Sequence, residues 1–161
     1  MKPIITFLSI LLISFLSSPS WSETLTMEEL VETNGLYYKK FTDVPFTGEV
    51  TGIESGEFKD GIRDGIWRTY FENGRLRERG NYKDGKREGS WEFYLITGHL
   101  DGKGNLKDGK KEGLWEWYYT NGQLGIKGNY KDGKEEGVWE WYYENGNLRN
   151  TETYKNGEKL D

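Results

Sequence analysis

The sequence predicts an all-β fold: an elongated single-layer antiparallel meander of 24-residue hairpin repeats, with a short helix at the N-terminus. Three observations carry that expectation. First, Trp67, Trp91, Trp115 and Trp139 are spaced 24 residues apart, and Gly65, Gly89, Gly113 and Gly137 keep the same interval, as do Leu76, Leu100, Leu124 and Leu148. A strict period in this range signals a repeat architecture in which each unit touches mainly its neighbours. Second, two turn signals fall in every unit. Asp-Gly stands at 60–61, 84–85, 108–109 and 132–133, and Asn-Gly at 73–74, 121–122 and 145–146, with Thr-Gly at 97–98. Both pairs suit two-residue hairpin turns, whose central residues need positive φ. Third, 22 glycines, 16% aromatics and only 3 prolines describe short strands joined by tight turns, not a disordered tract.

Along the chain, residues 1–22, "MKPIITFLSILLISFLSSPSWS", carry one early lysine, an apolar run from Ile4 to Leu16, and small residues after it. The run is short for a membrane span and reads as a secretory signal peptide cut after Ser22. Residues 23–45 form a cap. Within it, 26–34 are expected to make one or two helical turns, with Thr26 and Glu29 as a capping box and Gly35 as the stop. Met27, Leu30 and Val31 would plug the groove. Residues 46–161 form the repeat domain, with units near 56–79, 80–103, 104–127 and 128–151 and a partial unit at 152–161. Residues 41–55 look like a degenerate first unit.

The turns also set the register. Centring a hairpin on Asn121-Gly122 puts Tyr119 opposite Leu124, Trp117 opposite Ile126, Glu116 opposite Lys127 and Trp115 opposite Gly128. Centring the next on Asp132-Gly133 puts Tyr130 opposite Glu135, Gly128 opposite Gly137, Ile126 opposite Trp139 and Leu124 opposite Trp141. Because side chains alternate along a strand, one face collects Trp115, Trp117, Tyr119, Leu124, Ile126, Tyr130, Trp139, Trp141, Tyr143 and Leu148. The other collects Glu116, Tyr118, Lys127, Asn129, Lys131, Val138, Glu140 and Tyr142. Glu116 and Lys127 form an opposite-charge cross-strand pair. Glycines on the apolar face leave slots that an indole can cover.

Composition narrows the function. The net charge is −5 with both signs interspersed, which disfavours nucleic acid and anionic lipid. There is no cysteine and a single histidine, so a Cys/His zinc site and a Cys- or His-based nucleophile set lack their residues. His99 reads as a solvated residue beside a turn. Asp64, Glu88, Glu112 and Glu136 recur because the unit recurs, and no pair stands in the contrasting environments that acid–base hydrolysis needs. Asp60, Asp84, Asp108 and Asp132 read as turn formers and not as a calcium ladder, since lysines flank most of them. No cofactor and no metal are expected. The candidate partner-binding residues are the densest aromatics, Trp115, Trp117, Tyr119, Trp139, Trp141 and Tyr143, since Trp and Tyr are typical interface anchors.

The pattern in "YKDGKEEGVWEWYYENGNL" (130–148), with Tyr130, Gly133, Lys134, Gly137, Trp139, Tyr142, Asn145, Gly146 and Leu148, resembles the MORN repeat. It is most similar to the MORN-variant repeat of bacterial proteins labelled YwqK-family antitoxin. The resemblance covers residues 46–161. It implies an elongated single-layer sheet and a scaffold or antitoxin-like role in which a protein partner, a toxin or an envelope component, is bound without catalysis. The expected protein is therefore an exported, non-enzymatic monomer, periplasmic or secreted, without strong membrane binding. The alternative is a carbohydrate- or peptidoglycan-binding module that stacks sugar rings on the aromatics.

Overall fold

The structure is a computed structural model that describes residues 23–160. The expected signal peptide and its cleavage after Ser22 lie on residues outside that range. The elements run β1 (Glu23–Thr26), a 3-10 turn (Met27–Glu29), β2 (Leu30–Thr33), β3 (Leu36–Lys39), β4 (Gly48–Thr51), β5 (Glu54–Lys59), β6 (Ile62–Tyr70) and β7 (Leu76–Lys83). They continue with β8 (Lys86–Tyr94), β9 (Leu100–Lys107), β10 (Lys110–Tyr118), β11 (Leu124–Lys131), β12 (Lys134–Tyr142), β13 (Leu148–Lys155) and β14 (Glu158–Leu160). From β4 to β14 every strand lies antiparallel to the next in sequence, and β1 joins the start of the sheet parallel to β4. Twelve strands in one layer, at about 4.8 Å each, give a ribbon about 50 Å long.

The Asp-Gly turns form as their composition dictates. Asp60, Asp84, Asp108 and Asp132 have φ of 50–52°, and the glycine after each is also left-handed. Successive turns are tied across repeats. The N–H groups of Asp108, Asp132 and Asn156 donate to the carboxylates of Glu88, Glu112 and Glu136 at 2.9–3.0 Å. The recurring acids thus hold one repeat's turn to the next.

The Asn-Gly turns differ from the two-residue expectation. Only Gly122 is left-handed, while Asn121 keeps a negative φ. Gly122 N–H donates to Tyr119 C=O at 2.9 Å, and Tyr119 N–H to Gln123 C=O at 2.9 Å, so the loop has three residues. The Asn121 side chain accepts from Gln123 N–H at 2.9 Å, which holds this geometry. One consequence is that Leu124 pairs with Tyr118 and not with Tyr119, with a bulge beside it. Leu148 likewise pairs with Tyr142. Leu124 is half-buried and Leu148 is 54% exposed, and neither belongs to the buried core.

A second correction concerns the tight hairpins. Asn129 pairs with Glu136, but Lys127 pairs with Glu140 and Ile126 with Trp141, not Trp139. Gly137, with φ 75°, opens a bulge that displaces the ladder by two residues. Trp139 then lies over Gly128, where a Cβ would overlap its indole. Gly56, Gly80 and Gly104 are covered in the same way by Trp67, Trp91 and Trp115.

At the N-terminus, Thr26 N–H does donate to Glu29 Oε2 at 2.8 Å, but the helix is a single 3-10 turn. Thr26 ends β1 and Leu30–Thr33 form β2. Asn34 and Gly35, at φ 52° and 81°, make a hairpin turn that pairs β2 with β3. Cross-strand pairing of an alternating sequence outweighs the local cap. This hairpin sits over the first repeat, with Tyr37 ring-to-ring against Phe58 at 4.7 Å. Leu25, Leu30 and Phe46 are buried there with Val50 and Phe58, and Met27 packs beside them. Val31 is exposed and takes no part in the plug.

Candidate functional site

The inner face is a continuous row of rings. From Phe58 it passes through Trp67, Tyr82, Trp91, Phe93, Trp115, Trp117 and Trp139 to Trp141, with successive centroids 5.1–6.2 Å apart. Trp115 and Trp117 project from the same side, 5.8 Å apart. From the second repeat onward the row is built from the Trp at the end of each glycine bulge, which is buried, and the aromatic two places on, which is half-buried; in the first repeat that second place is Thr69, and Phe58 and Tyr82 flank Trp67 instead.

The six sequence-expected residues divide accordingly. Trp115 and Trp139 are only 2% and 5% exposed and act as core. Trp117 and Trp141 are half-buried and offer a ring face at the surface of the row. Tyr119 leans over Gly125 and donates its hydroxyl to Tyr142 C=O at 2.7 Å, so it braces adjacent turns. Tyr143 is 51% exposed, flanks the row and lies near the Arg149 guanidinium. Only the four tryptophans are brought together in one surface.

Charged residues missed by the aromatic pattern complete the face. Arg63 sits 4.4 Å from the Trp67 ring and pairs with Glu54 at 2.7 Å. Arg87 sits 4.2 Å from the Trp91 ring and pairs with Glu78 at 2.7 Å. The Lys111 ammonium lies over three rings, at 4.5 Å from Trp115 and 4.7 Å from both Trp117 and Tyr130. Burial pushes its pKa below the usual lysine range. Burial, with Glu135 nearby, pushes the Tyr130 phenol up to about 12. The signal that reveals these cations is positional: Arg63, Arg87 and Lys111 occupy one repeat column, two residues after the turn glycine.

The outer face carries a different ladder. Arg79 pairs with Glu92, Lys103 with Glu116 at 3.1 Å, and Lys127 with Glu140 at 2.9 Å. Tyr94, Tyr118 and Tyr142 donate their hydroxyls to the same three carboxylates. Glu116 is level with Lys127 in the register, as expected, but its ion pair is with Lys103 on the other side. His99 meets only Thr97 Oγ1, at 3.0 Å, beside its turn. Among the described residues no group of three or more His, Cys, Asp or Glu is placed to hold a metal, and no helix is long and apolar enough to cross a membrane.

A single-layer β ribbon of similar hairpins, with one aromatic and one charged face, defines a repeat scaffold suited to binding. The model of the MORN repeat variant matches residues 63–84, 111–132 and 135–156, frames that share the 24-residue register. Over those residues the chain is similar to the MORN repeat variant, and the match extends to the repeat and no further. Comparison with curated proteins finds no match. Among solved structures, a chain in the crystal structure of the GtfA/B complex bound to UDP and GlcNAc aligns at 13% identity with a TM-score of 0.24. That alignment covers 84% of this chain but only 24% of the other, and carries no argument about function.

Proposed function

We propose that this chain is an exported, non-enzymatic repeat scaffold that binds another protein through its inner aromatic face. By family resemblance the partner is a toxin or an envelope component, and the chain acts on it by occupancy alone. One observation supports this reading above others: Trp117 and Trp141 stay half-buried at the distal end of the row, on a single-layer sheet that no second layer covers there among the described residues. Ring faces so placed are the anchors that interfaces use. Substituting Trp117→Ala or Trp141→Ala tests it. Both variants are expected to keep a cooperative thermal transition yet lose a partner that wild type retains from an envelope fraction and rebinds once purified. Collapse of the fold in both would make these rings core and remove the proposed site. Stacked, half-open indoles also suit sugar rings, so binding on a glycan array that is lost in the same variants would favour a carbohydrate- or peptidoglycan-binding module. Export carries its own check: the mature protein is expected to start at Glu23 by N-terminal sequencing and to run as a monomer in size-exclusion with light scattering.

A further inference from the structure

Two repeat columns face each other across neighbouring strands. One holds Arg63, Arg87, Lys111 and Glu135, and the other holds Glu54, Glu78, Gly102 and Ile126. In the first two repeats a cation lies between an indole and a glutamate carboxylate 2.7 Å away. In the third the cation and its rings remain, but Gly102 supplies no carboxylate. Lys111 has no hydrogen bond and no ion pair with any described residue, although an ammonium carries three donors. Beside it a cleft of about 330 Å³ opens between Phe93, Gly102 and Trp117, with Lys111 in its wall. Arg87 and Asp101 also line the cleft. Arg87 is already paired with Glu78, so Lys111 is the one cation of the cleft wall without an ion pair, although Glu135 acts on it through space and Asp101 adds a further negative charge. One unpaired ammonium walled by rings, with two carboxylates already in its surroundings, accommodates a monoanion on an apolar stem and disfavours a dianionic phosphate.

We propose that this cleft receives a glutamate side chain of a protein partner, whose carboxylate takes against Lys111 the place that Glu54 and Glu78 hold against Arg63 and Arg87. The proposal rests on the protein-binding reading above and names the chemistry of its recognition. Desolvation lowers the Lys111 pKa more than Glu135 raises it, so an incoming carboxylate would meet a cation that is desolvated and not ion-paired.

The test titrates isotope-labelled protein with N-acetylglutamate N-methylamide, its glutamine counterpart, and glucuronate, reading the indole N–H signals of Trp115 and Trp117. The glutamate probe is expected to give saturable shifts with affinity on the order of millimolar, at least about tenfold tighter than the glutamine probe. Lys111→Gln should lose that preference and Lys111→Arg should retain it. No saturation, or equal response to the two probes in wild type, overturns the site, and this comparison decides even if Lys111→Gln does not fold. If the probes fail while the Trp117-dependent partner is still captured, the carboxylate site falls and protein binding stands. If glucuronate saturates the cleft and glutamate does not, both fall.

Discussion

Gly104 and Gly113 sit nine residues apart in the chain and show two separate reasons for a glycine. At Gly104 the backbone is ordinary, but a Cβ would overlap the indole of Trp115. Gly104→Ala is therefore an overpacking change, expected to cost about 1–3 kcal/mol. At Gly113 the space is open and the backbone is left-handed, φ 68°. Gly113→Ala should cost about 1–2 kcal/mol through conformation alone, and Gly113→Asn less, because Asn tolerates that region. Urea unfolding midpoints separate the two cases: Gly104→Asn should be worse than Gly104→Ala, whereas at Gly113 the order reverses. The paired tryptophans divide in the same manner. Trp115→Ala removes a buried ring and should cost about 3–5 kcal/mol, and Trp117→Ala clearly less.

Strands and turns determine what the outer ladder contributes. The Glu92 carboxyl is held below the usual range by its bonds to Arg79 and Tyr94, and the Glu140 carboxyl by Tyr142 and Lys127. At Glu116 burial works in the opposite direction but is outweighed by Tyr118 and Lys103. A carboxyl whose folded pKa is depressed stabilises the fold above its unfolded pKa, and that stability is lost as pH falls through the folded pKa. The melting temperature should thus decline as pH drops below about 4.5, and the triple change Glu92→Gln, Glu116→Gln, Glu140→Gln should flatten that decline. Much of this level was legible in the sequence. Asp-Gly turns announce themselves because both residues must be left-handed, and the sorting of faces followed from them. The bulge at Gly137 was not legible, for a physical reason: a slip of two residues leaves every side chain on its original face, so alternation cannot detect it. The Asn-Gly loop was misread because the Asn121 side chain, by accepting from Gln123, favours a three-residue loop. The helix expected at 26–34 formed only a single 3-10 turn, because a correct local cap says nothing about how far the helix runs. The aromatic surface was visible in composition, whereas Lys111 becomes visible only when its column is compared with the one facing it.

Over the whole molecule, contacts run almost entirely between sequential strands, so stability is close to a sum of unit and neighbour terms. Removing residues 87–110, one full period, should leave a folded chain with the register intact and a lower unfolding midpoint. Removing only 99–110, half a period, should not, because one strand is lost and every later strand would have to run the other way. Circular dichroism and thermal unfolding distinguish the two deletions. The full-period deletion does more than shorten the ribbon. It joins Lys86 to Lys111, so Lys111 takes the position of Arg87, which in the intact protein pairs with Glu78 at 2.7 Å. Lys111 then acquires an internal carboxylate, and Trp117 takes the place of Phe93 beside it. A folded deletion protein should therefore no longer respond to the glutamate probe, although Lys111, Trp115 and Trp117 are all still present. The deletion also takes Arg87, Phe93, Asp101 and Gly102 out of the cleft wall, so retained binding in that protein would mean that Lys111 and the rings recognise the ligand without that wall and without an empty place opposite Lys111.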